Sequence, residues 1–233
     1  MAVTLPASSL QFQFDRTRQA APQVFEHLRE QIISMVLTPN TVLARPELAL
    51  QYGISQTPVR DALIRLAEEG LVDVFPQHAT RVSRIDVALA RQAHFLRRSV
   101  ELEIVRKLAE TADPALVERL RATVLRQQRM LELDDLAEFT ANDQNFHRQL
   151  YEAAAVPDLF ALVRRQSGHL DRLRRLHLPI PGKAHAVLRD HTAIIEAIAA
   201  GEPARAEAAL REHLSGTLAN VEEIRARFGE YLR

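Results

Sequence analysis

Residues 42–72 read VLARPELALQYGISQTPVRDALIRLAEEGLV, and this stretch decides the fold of the first part of the chain. It predicts a short helix over about 46–52, followed by a turn at Gly53-Ile54-Ser55. The next helix accepts Pro58 because the amides of a first helical turn have no partner within the helix. Its apolar positions follow the i, i+3, i+4, i+7 spacing of a buried helix face: Val59, Ala62, Leu63 and Leu66. Two helices joined by a tight turn predict a helix-turn-helix.

The neighbouring segments complete this helix-turn-helix unit. An amphipathic helix begins near Pro22. Residues 71–83 change to the alternation of a strand, with residues 76–79 as the turn of a small hairpin. We therefore expect a winged helix-turn-helix DNA-binding domain over residues 18–84, preceded by a poorly ordered tail over residues 1–17.

The second helix of this motif carries polar side chains on its outward face near its start: Ser55, Gln56, Thr57 and Arg60. Hydroxyls and amides suit phosphates and adenine edges, and Arg suits guanine or phosphate. Residues 16–84 hold 8 Arg against 7 acidic residues, a weak charge for a single DNA-binding domain. A homodimer on a palindromic double-stranded operator would pool two such surfaces. The same spacing also fits an ordinary polar surface helix.

Composition bounds the class of the protein. Of the 233 residues, 47% are hydrophobic and 26% are charged, which excludes a disordered or fibrous chain. The 30 basic residues balance 30 acidic ones, so the whole chain has no net attraction for nucleic acid or an anionic membrane. The absence of cysteine excludes disulfides, thiolate zinc sites and a cysteine nucleophile. No apolar run reaches the roughly 20 residues of a membrane span, and the first residues lack a signal-peptide pattern. We expect a cytoplasmic protein with no membrane partner.

The rest of the chain is predicted to be helical with short breaks. Long helices with short connections are antiparallel neighbours, so residues 85–233 predict a second domain, an all-α antiparallel bundle of about six helices. The predicted fold class is therefore mainly α. The predicted helices span about 86–111, 114–131, 134–154, 157–176, 184–200 and 203–230.

Four side chains of this second domain have the chemistry of a metal site. Asp143 and His147 are four residues apart, which places them on one face of a helix. His191 and His213 lie in two later helices, and antiparallel packing could bring both to the same depth. One carboxylate with several imidazoles suits Zn²⁺, Ni²⁺ or Mn²⁺. Taken singly, each histidine is more often an ordinary surface or core residue, and an Asp-x-x-x-His pair also serves as a helix-stabilising contact.

Residues 42–72 resemble, over their whole length, the signature of the GntR family of bacterial transcriptional regulators. The resemblance implies that the second helix of the motif enters the major groove and that residues 76–82 form a wing. It also implies a set of DNA-contacting residues: Arg45, Ser55, Thr57 and Arg60.

Two positions depart from the usual GntR pattern. Gln56 stands where the family usually has Arg, so a neutral side chain replaces one guanine or phosphate contact, and the operator is expected to differ. Ala79 stands where the wing usually has Gly, the residue that permits its tight turn. The candidates for the wing contact with DNA are then His78 and Arg81.

The second domain resembles the FadR-type C-terminal ligand-binding domain, called FCD. The matching stretches are FLRRSVELEIVRKLA at 95–109, NDQNFHRQLYEAA at 142–154 and DHTAIIEAIAAGEPARAEAALREHL at 190–214. The resemblance implies that one Asp and three His bind a divalent metal ion: Asp143, His147, His191 and His213. It also implies that Arg97, four residues before Glu101, faces the effector cavity. The alternative is an Arg–Glu pair on a solvated helix face.

One predicted helix also carries a basic stripe at i, i+4 and i+7. Its members are Arg165, His169 and Arg172. We expect this stripe to lie on a solvated or dimer-facing surface rather than to form a second anion clamp.

These features predict a ligand-responsive transcriptional regulator of the repressor type. Its affinity for operator DNA is expected to change when a small organic or sugar acid binds at the metal site beside Arg97, and a homodimer is expected to join two DNA-binding domains. One alternative is a metal-dependent enzyme with an appended winged helix, although no general base or nucleophile motif is evident. Another is a protein whose metal is purely structural.

Overall fold

The computed structural model describes residues 12–75 and 80–233 of the chain. These residues form two compact units. The first contains the described residues up to Val87 together with Phe228–Arg233, and the second is Ala88–Arg227. The mainly α fold class predicted from the sequence is confirmed.

The first unit contains the predicted helix-turn-helix. Its helices are α1 (Ala20–Ile33), α2 (Arg45–Tyr52) and α3 (Gln56–Glu68). Gly53 ends α2 with a φ of 64°, in the left-handed region that glycine adopts without a Cβ clash. The apolar faces of the three helices share one core, which includes Val24, Leu28, Ile32, Leu48, Val59 and Leu66.

A small antiparallel sheet completes the wing. Its strands are β1 (Val42–Leu43), β2 (Val72–Asp73) and β3 (Thr80–Val82), in the order β1-β3-β2. The predicted hairpin corresponds to β2 and β3, in which Val72 pairs with Val82. The turn at 76–79, which includes His78 and Ala79, lies outside the described residues. The sequence pattern did not predict β1, because two residues are too few to show a strand alternation.

Residues 12–17 are packed against α1 and α2, whereas the sequence predicted a poorly ordered tail over residues 1–17. The ring of Phe12 lies 5.7 Å from that of Tyr52, and the ring of Phe14 lies 5.9 Å from it. The Asp15 amide donates to Oε1 of Gln23 at 2.8 Å. These ring contacts and this hydrogen bond anchor the segment to α1 and α2.

Residues 228–233 belong to the first unit, whereas the sequence pattern placed them in the second domain. After a 3₁₀ turn at Gly229–Tyr231, Leu232 forms an isolated parallel bridge with Ile85. The Ile85 amide donates to the Tyr231 carbonyl at 2.7 Å, and the Arg233 amide donates to the Ile85 carbonyl at 2.9 Å. Both apolar side chains of the bridge are buried.

The second unit is an all-α bundle in which α5 packs against α6 and α9, and α9 packs against α10. Its apolar core includes Phe146, Leu150, Ile194 and Leu210. In the described part of the chain, no helix is both long and apolar enough to cross a membrane. The helices are α4 (Val87–Thr111), α5 (Pro114–Glu132), α6 (Leu136–Ala153), α7 (Pro157–Gln166), α8 (Gly168–His177), α9 (Lys183–Ala199), α10 (Pro203–Ala219) and α11 (Val221–Phe228).

Two of the predicted helices are each divided in the structure, which raises the number from about six to the eight helices α4 to α11 among the described residues. The first break is at Ser167, whose hydroxyl donates to the Val163 carbonyl at 2.8 Å. The second is at Asn220, whose side-chain amide donates to the Gly216 carbonyl at 2.6 Å. Short polar side chains compete for backbone groups in this way and favour helix ends.

Candidate functional site

Four potential metal ligands meet inside the second unit: Asp143, His147, His191 and His213. All four side chains are buried, and one ligand atom of each lies within 4.8 Å of those of the other three. The Nε2 atoms of His147 and His213 are 3.2 Å apart, and Nε2 of His191 is 3.6 Å from Oδ1 of Asp143. The structure therefore brings together the four residues that the sequence singled out.

Three helices position these ligands. Helix α6 carries Asp143 and His147 one turn apart on its buried face. The Phe146 ring stacks on the His191 ring of α9 with centroids 3.9 Å apart, which restricts the plane of that imidazole. Because α10 packs along α9, the ring of His213 lies 4.6 Å from that of His191.

Each histidine of the cluster has a side-chain oxygen beside its Nδ1 atom. Such an acceptor favours the tautomer that is protonated at Nδ1, which leaves the lone pair on Nε2 for a metal. For His147 and His191 the oxygen lies within hydrogen-bonding distance, so it orients the imidazole with Nε2 toward the centre of the cluster. The pairs are Nδ1 of His147 with Oε2 of Glu101 at 2.9 Å, Nδ1 of His191 with Oε1 of Gln127 at 3.0 Å, and Nδ1 of His213 with Oδ2 of Asp190 at 3.7 Å.

The surroundings favour the protonation states that a metal requires. Burial alone would raise the pKa of Asp143, but the Arg174 guanidinium and the three imidazoles hold it well below its usual range. Burial lowers the pKa of His213 to about 4, and burial together with His213 lowers the pKa of His191 well below its usual value. An ionised carboxylate and neutral imidazoles are the forms that bind divalent cations.

The donor set fits a divalent metal ion. Ligand atoms that contact a metal at about 2.0–2.2 Å lie roughly 3–4.4 Å from one another, and the separations of 3.2 Å and 3.6 Å fall in that range. Nε2 of His191 is buried with no hydrogen-bond partner among the described residues. When Nδ1 is protonated on His147 and His213, their Nε2 lone pairs face each other. A cation between these atoms satisfies all of them.

Two cavities adjoin the cluster. The first reaches Asp143 and His147, and the second reaches His213. Arg97 and Arg174 line both cavities. The guanidinium groups in their walls suit acids.

Arg97 and Glu101 form the helical pair expected from their spacing, but the pair is buried rather than solvated. The Arg97 side chain is 8% exposed, and its Nε donates to Oε1 of Glu101 at 2.8 Å. The Tyr151 hydroxyl donates to the same oxygen at 3.3 Å. Burial alone would raise the pKa of Glu101, but Arg97 and His147 hold it well below its usual value. Arg97 therefore lies in a cavity wall and is linked to the cluster of potential metal ligands through Glu101.

The basic stripe is largely internal, so the prediction of a solvated or dimer-facing surface is wrong for two of its members. Arg165 is exposed, but His169 and Arg172 are buried. The guanidinium of Arg172 lies 2.8 Å from Nδ1 of His169. Helix α8 is enclosed on most of its faces, which covers both side chains.

The predicted DNA-contacting residues lie at the surface of the first unit. Four of them are exposed at the start of α3: Ser55, Gln56, Thr57 and Arg60. Arg45 is exposed at the start of α2. Arg81 is exposed on β3 and donates to the Asn40 carbonyl at 3.3 Å. His78 lies outside the described residues.

Two family models match this chain. The model of bacterial regulatory proteins of the gntR family matches residues 20–82, and the FCD domain model matches residues 92–216. The chain belongs to the GntR family. A relative from Streptomyces ambofaciens, an uncharacterized HTH-type transcriptional regulator in an unstable DNA locus, is 39% identical over 203 residues, which cover 87% of this chain and 85% of the relative.

Other relatives agree with this GntR-family assignment. The HTH-type transcriptional repressor RspR of Escherichia coli strain K12 is 27% identical over 217 residues, covering 93% of this chain and 95% of the relative. The solved structure of E. coli McbR/YncC shares the fold with a TM-score of 0.74, at 22% identity over 91% of this chain and 99% of that one. These families and names indicate a DNA-binding transcriptional regulator rather than an enzyme.

Several residues around the cluster of this GntR-family regulator had not been singled out. Asp190 directly precedes His191 in the sequence. Its position next to a candidate metal ligand was the one sequence signal that could have indicated its role. Gln127 has no such signal, because it lies 64 positions before His191 in the sequence and only the tertiary structure brings the two into contact. Lys183 likewise lines the second cavity without a sequence motif.

We expect Gln127→Leu to weaken metal binding by about 10-fold to 100-fold, because Nδ1 of His191 loses its acceptor. A competition titration against a chromophoric chelator measures the affinity. Gln128→Leu is the matched control, because Gln128 is the exposed neighbour on the same helix. Equal metal affinities in the two variants would contradict the role of Gln127 in orienting His191.

We expect stability to fall in mild acid through His177. Burial, followed by the charge of Lys183, lowers the pKa of His177 to about 4. As the pH falls, His177 is therefore protonated near pH 6.5 in the unfolded chain but only near pH 4 in the folded state. Protonation stabilises the unfolded state in between, so the free energy of unfolding decreases as the pH falls from 6.5 toward 4. The expected loss through this residue between pH 7 and pH 5 is about 1–2 kcal/mol. Urea denaturation should show a smaller pH dependence in His177→Gln, but not in His185→Gln, which alters an exposed histidine.

Proposed function

We propose that this GntR-family regulator is a homodimeric repressor that binds a palindromic operator and releases it when a small carboxylate binds beside a divalent metal ion. The observation that carries the proposal is the buried cluster of Asp143 and three histidines, bordered by cavities with Arg97 in their walls. Relatives named as repressors support the direction of the effect.

Operator recognition is assigned to the exposed start of α3. The hydroxyls of Ser55 and Thr57 suit phosphates, and Gln56 suits an adenine edge. Arg60 suits guanine or phosphate, and its side chain is 60% exposed. Arg45 is assigned to the DNA backbone, with Arg81 or His78 as the wing contact. Two such surfaces in a homodimer offset the weak charge of one.

Arg60→Ala is expected to weaken operator binding by about 10-fold to 100-fold, because a good Arg–base contact is worth about 1–3 kcal/mol. Fluorescence anisotropy on an operator selected from random DNA measures this loss. Arg205→Ala removes an exposed arginine from the second unit and should leave the affinity unchanged. An Arg60→Ala protein with full affinity would rule out α3 as the reading helix.

The second unit is assigned to metal and effector binding. Asp143, His147, His191 and His213 would hold Zn²⁺, Ni²⁺ or Mn²⁺, which would supply open coordination positions for an effector carboxylate. Arg97 would donate to that carboxylate from the cavity wall. Small organic or sugar acids match the cationic lining of the cavities.

In this proposal, effector binding and operator binding are thermodynamically coupled. A coupling of about 1–3 kcal/mol between effector and DNA binding changes operator affinity by about 5-fold to 150-fold. Anisotropy titrations of the metal-loaded protein on its selected operator, with and without a panel of hydroxy acids, test this coupling. If every acid that binds leaves operator affinity unchanged, the metal is structural and the effector proposal fails.

A further inference from the structure

Lys183 is the feature of the second cavity that the proposed metal and carboxylate contacts leave unused. It is the first residue of α9, it is half-buried, and it lines the cavity together with Arg97, Arg174 and His213. Among the described residues, no carboxylate lies within ion-pair distance of its Nζ atom. A half-buried ammonium without a counter-ion is costly unless something else compensates its charge.

The other cations of this cavity already have acidic partners. Arg97 is paired with Glu101, and Arg174 contacts Asp143. The residues that line the cavity include no acid. The excess positive charge of the cavity therefore resides at Lys183.

The neighbours of Lys183 leave this ammonium charged but uncompensated. The acids that interact electrostatically with Lys183 are Asp190, whose Oδ2 lies 3.7 Å from Nδ1 of His213, Asp143, which contacts Arg174, and Glu212. His177 is neutral at pH 7, because burial and Lys183 lower its pKa to about 4. None of these three acids forms an ion pair with Nζ, so the charge remains available to an anion in the cavity.

The backbone of α10 makes room for this ammonium. A Cβ atom on Gly216 would lie 2.7 Å from Nζ of Lys183, which is closer than such atoms approach. The absence of a side chain at Gly216 therefore allows Nζ to occupy its position beside the cavity. The hydroxyl of Thr217, the next residue, also lines the cavity and can donate to an anion.

We propose that Lys183 binds a second anionic group of the effector, which makes the effector a small dicarboxylic acid rather than a monocarboxylic one. The inference rests on the proposed function, in which the first carboxylate lies at the metal and Arg97. The second carboxylate would enter the cavity reaching His213 and accept hydrogen bonds from Lys183 and Thr217. Charge-assisted contacts of this kind distinguish a carboxylate from a methyl group.

Matched pairs of acids test the proposal by calorimetry on protein loaded with Zn²⁺, Ni²⁺ or Mn²⁺. Each pair differs only in a terminal carboxylate or methyl group: malate with α-hydroxybutyrate, α-hydroxyglutarate with α-hydroxypentanoate, and α-hydroxyadipate with α-hydroxyhexanoate. In at least one pair the diacid should bind more tightly. Lys183→Met should weaken that diacid by about 10-fold to 100-fold, the range of a hydrogen bond to a charged group, and leave its monoacid partner within about threefold.

The chain offers a precise control, because Lys107 is its other lysine and is exposed on α4. Lys107→Met should retain the preference for the diacid. Gly216→Ala should reduce it, because the new Cβ displaces Nζ while only the end of a flexible side chain has to move. Circular dichroism and metal titration of each variant show whether the second unit is intact.

A second readout does not depend on affinity. Reductive methylation with ¹³C-labelled formaldehyde gives separate NMR signals for the two lysines, and the diacid should shift the Lys183 signal but not that of Lys107. Equal diacid preference in wild type and Lys183→Met, with no shift at Lys183, would overturn this inference and leave the proposed function standing. If neither these acids nor sugar acids bind the loaded protein, both are overturned.

Discussion

Removal of the bound metal is expected to lower the melting temperature of the loaded protein by about 10 °C. Three imidazoles and a carboxylate from α6, α9 and α10 converge only when the second unit is folded, so metal binding adds to the free energy of unfolding. At a free metal concentration 1,000 times the dissociation constant, the gain is about 4 kcal/mol. Each kcal/mol shifts the melting temperature of a chain of this size by about 2–4 °C.

Thermal scans of the metal-loaded protein before and after treatment with a chelator measure the shift. His191→Gln should abolish the response to metal, because it removes a buried ligand from the centre of the cluster. His185→Gln, an exposed substitution on the same helix, should respond as the wild type does. A wild-type protein that is purified without metal and melts at the same temperature with Zn²⁺, Ni²⁺ or Mn²⁺ would rule out the metal centre.

Replacement of Arg97 by Ala is expected to have an effect of similar size, a loss of about 3–5 kcal/mol in the free energy of unfolding. The reason is that the substitution leaves Glu101, which is 1% exposed, as a buried carboxylate without its cation. Because Oε2 of Glu101 lies 2.9 Å from Nδ1 of His147, the change also reaches the metal cluster. Denaturant titrations of the apo-protein measure the loss in stability.

The double variant Arg97→Met/Glu101→Gln separates the two roles of Arg97. Removing both charges should restore most of the stability, since replacing a whole buried ion pair is far less costly than breaking one. The response of operator binding to the effector should remain absent, because the donor to the carboxylate is gone. Arg91→Ala, an exposed substitution on α4, serves as the control. A double variant that responds normally would exclude Arg97 from effector binding.

Local patterns in the sequence were sufficient to predict most helices and to suggest candidate metal ligands. The spacing of Val59, Ala62, Leu63 and Leu66 indicated the buried face of α3, and all four are buried. Asp143 and His147 were detectable because one turn of helix separates them. Their convergence with His191 and His213 was implied by the family resemblance, because packing between separate helices has no local signature.

The features that escaped prediction depend on contacts between distant residues or on weak local signals. The acceptor that Gln127 offers to His191 and the position of Lys183 above Gly216 both require the tertiary structure. The helix breaks at Ser167 and Asn220 were missed because neither residue ends a helix reliably on its own. The burial of Arg172 was missed because arginine is rarely enclosed without a partner.

The bridge between Ile85 and Leu232 also affects the order in which the protein matures on the ribosome. Residues 228–233 are synthesised after the whole helical bundle, yet they bridge to Ile85 in the unit that carries α3. That unit can therefore collapse early but reaches its final structure only after the helices of the second unit have emerged. Nascent chains that stall before Leu232 would expose the buried face of Ile85, a signal that chaperones and proteases can use to remove incomplete regulators.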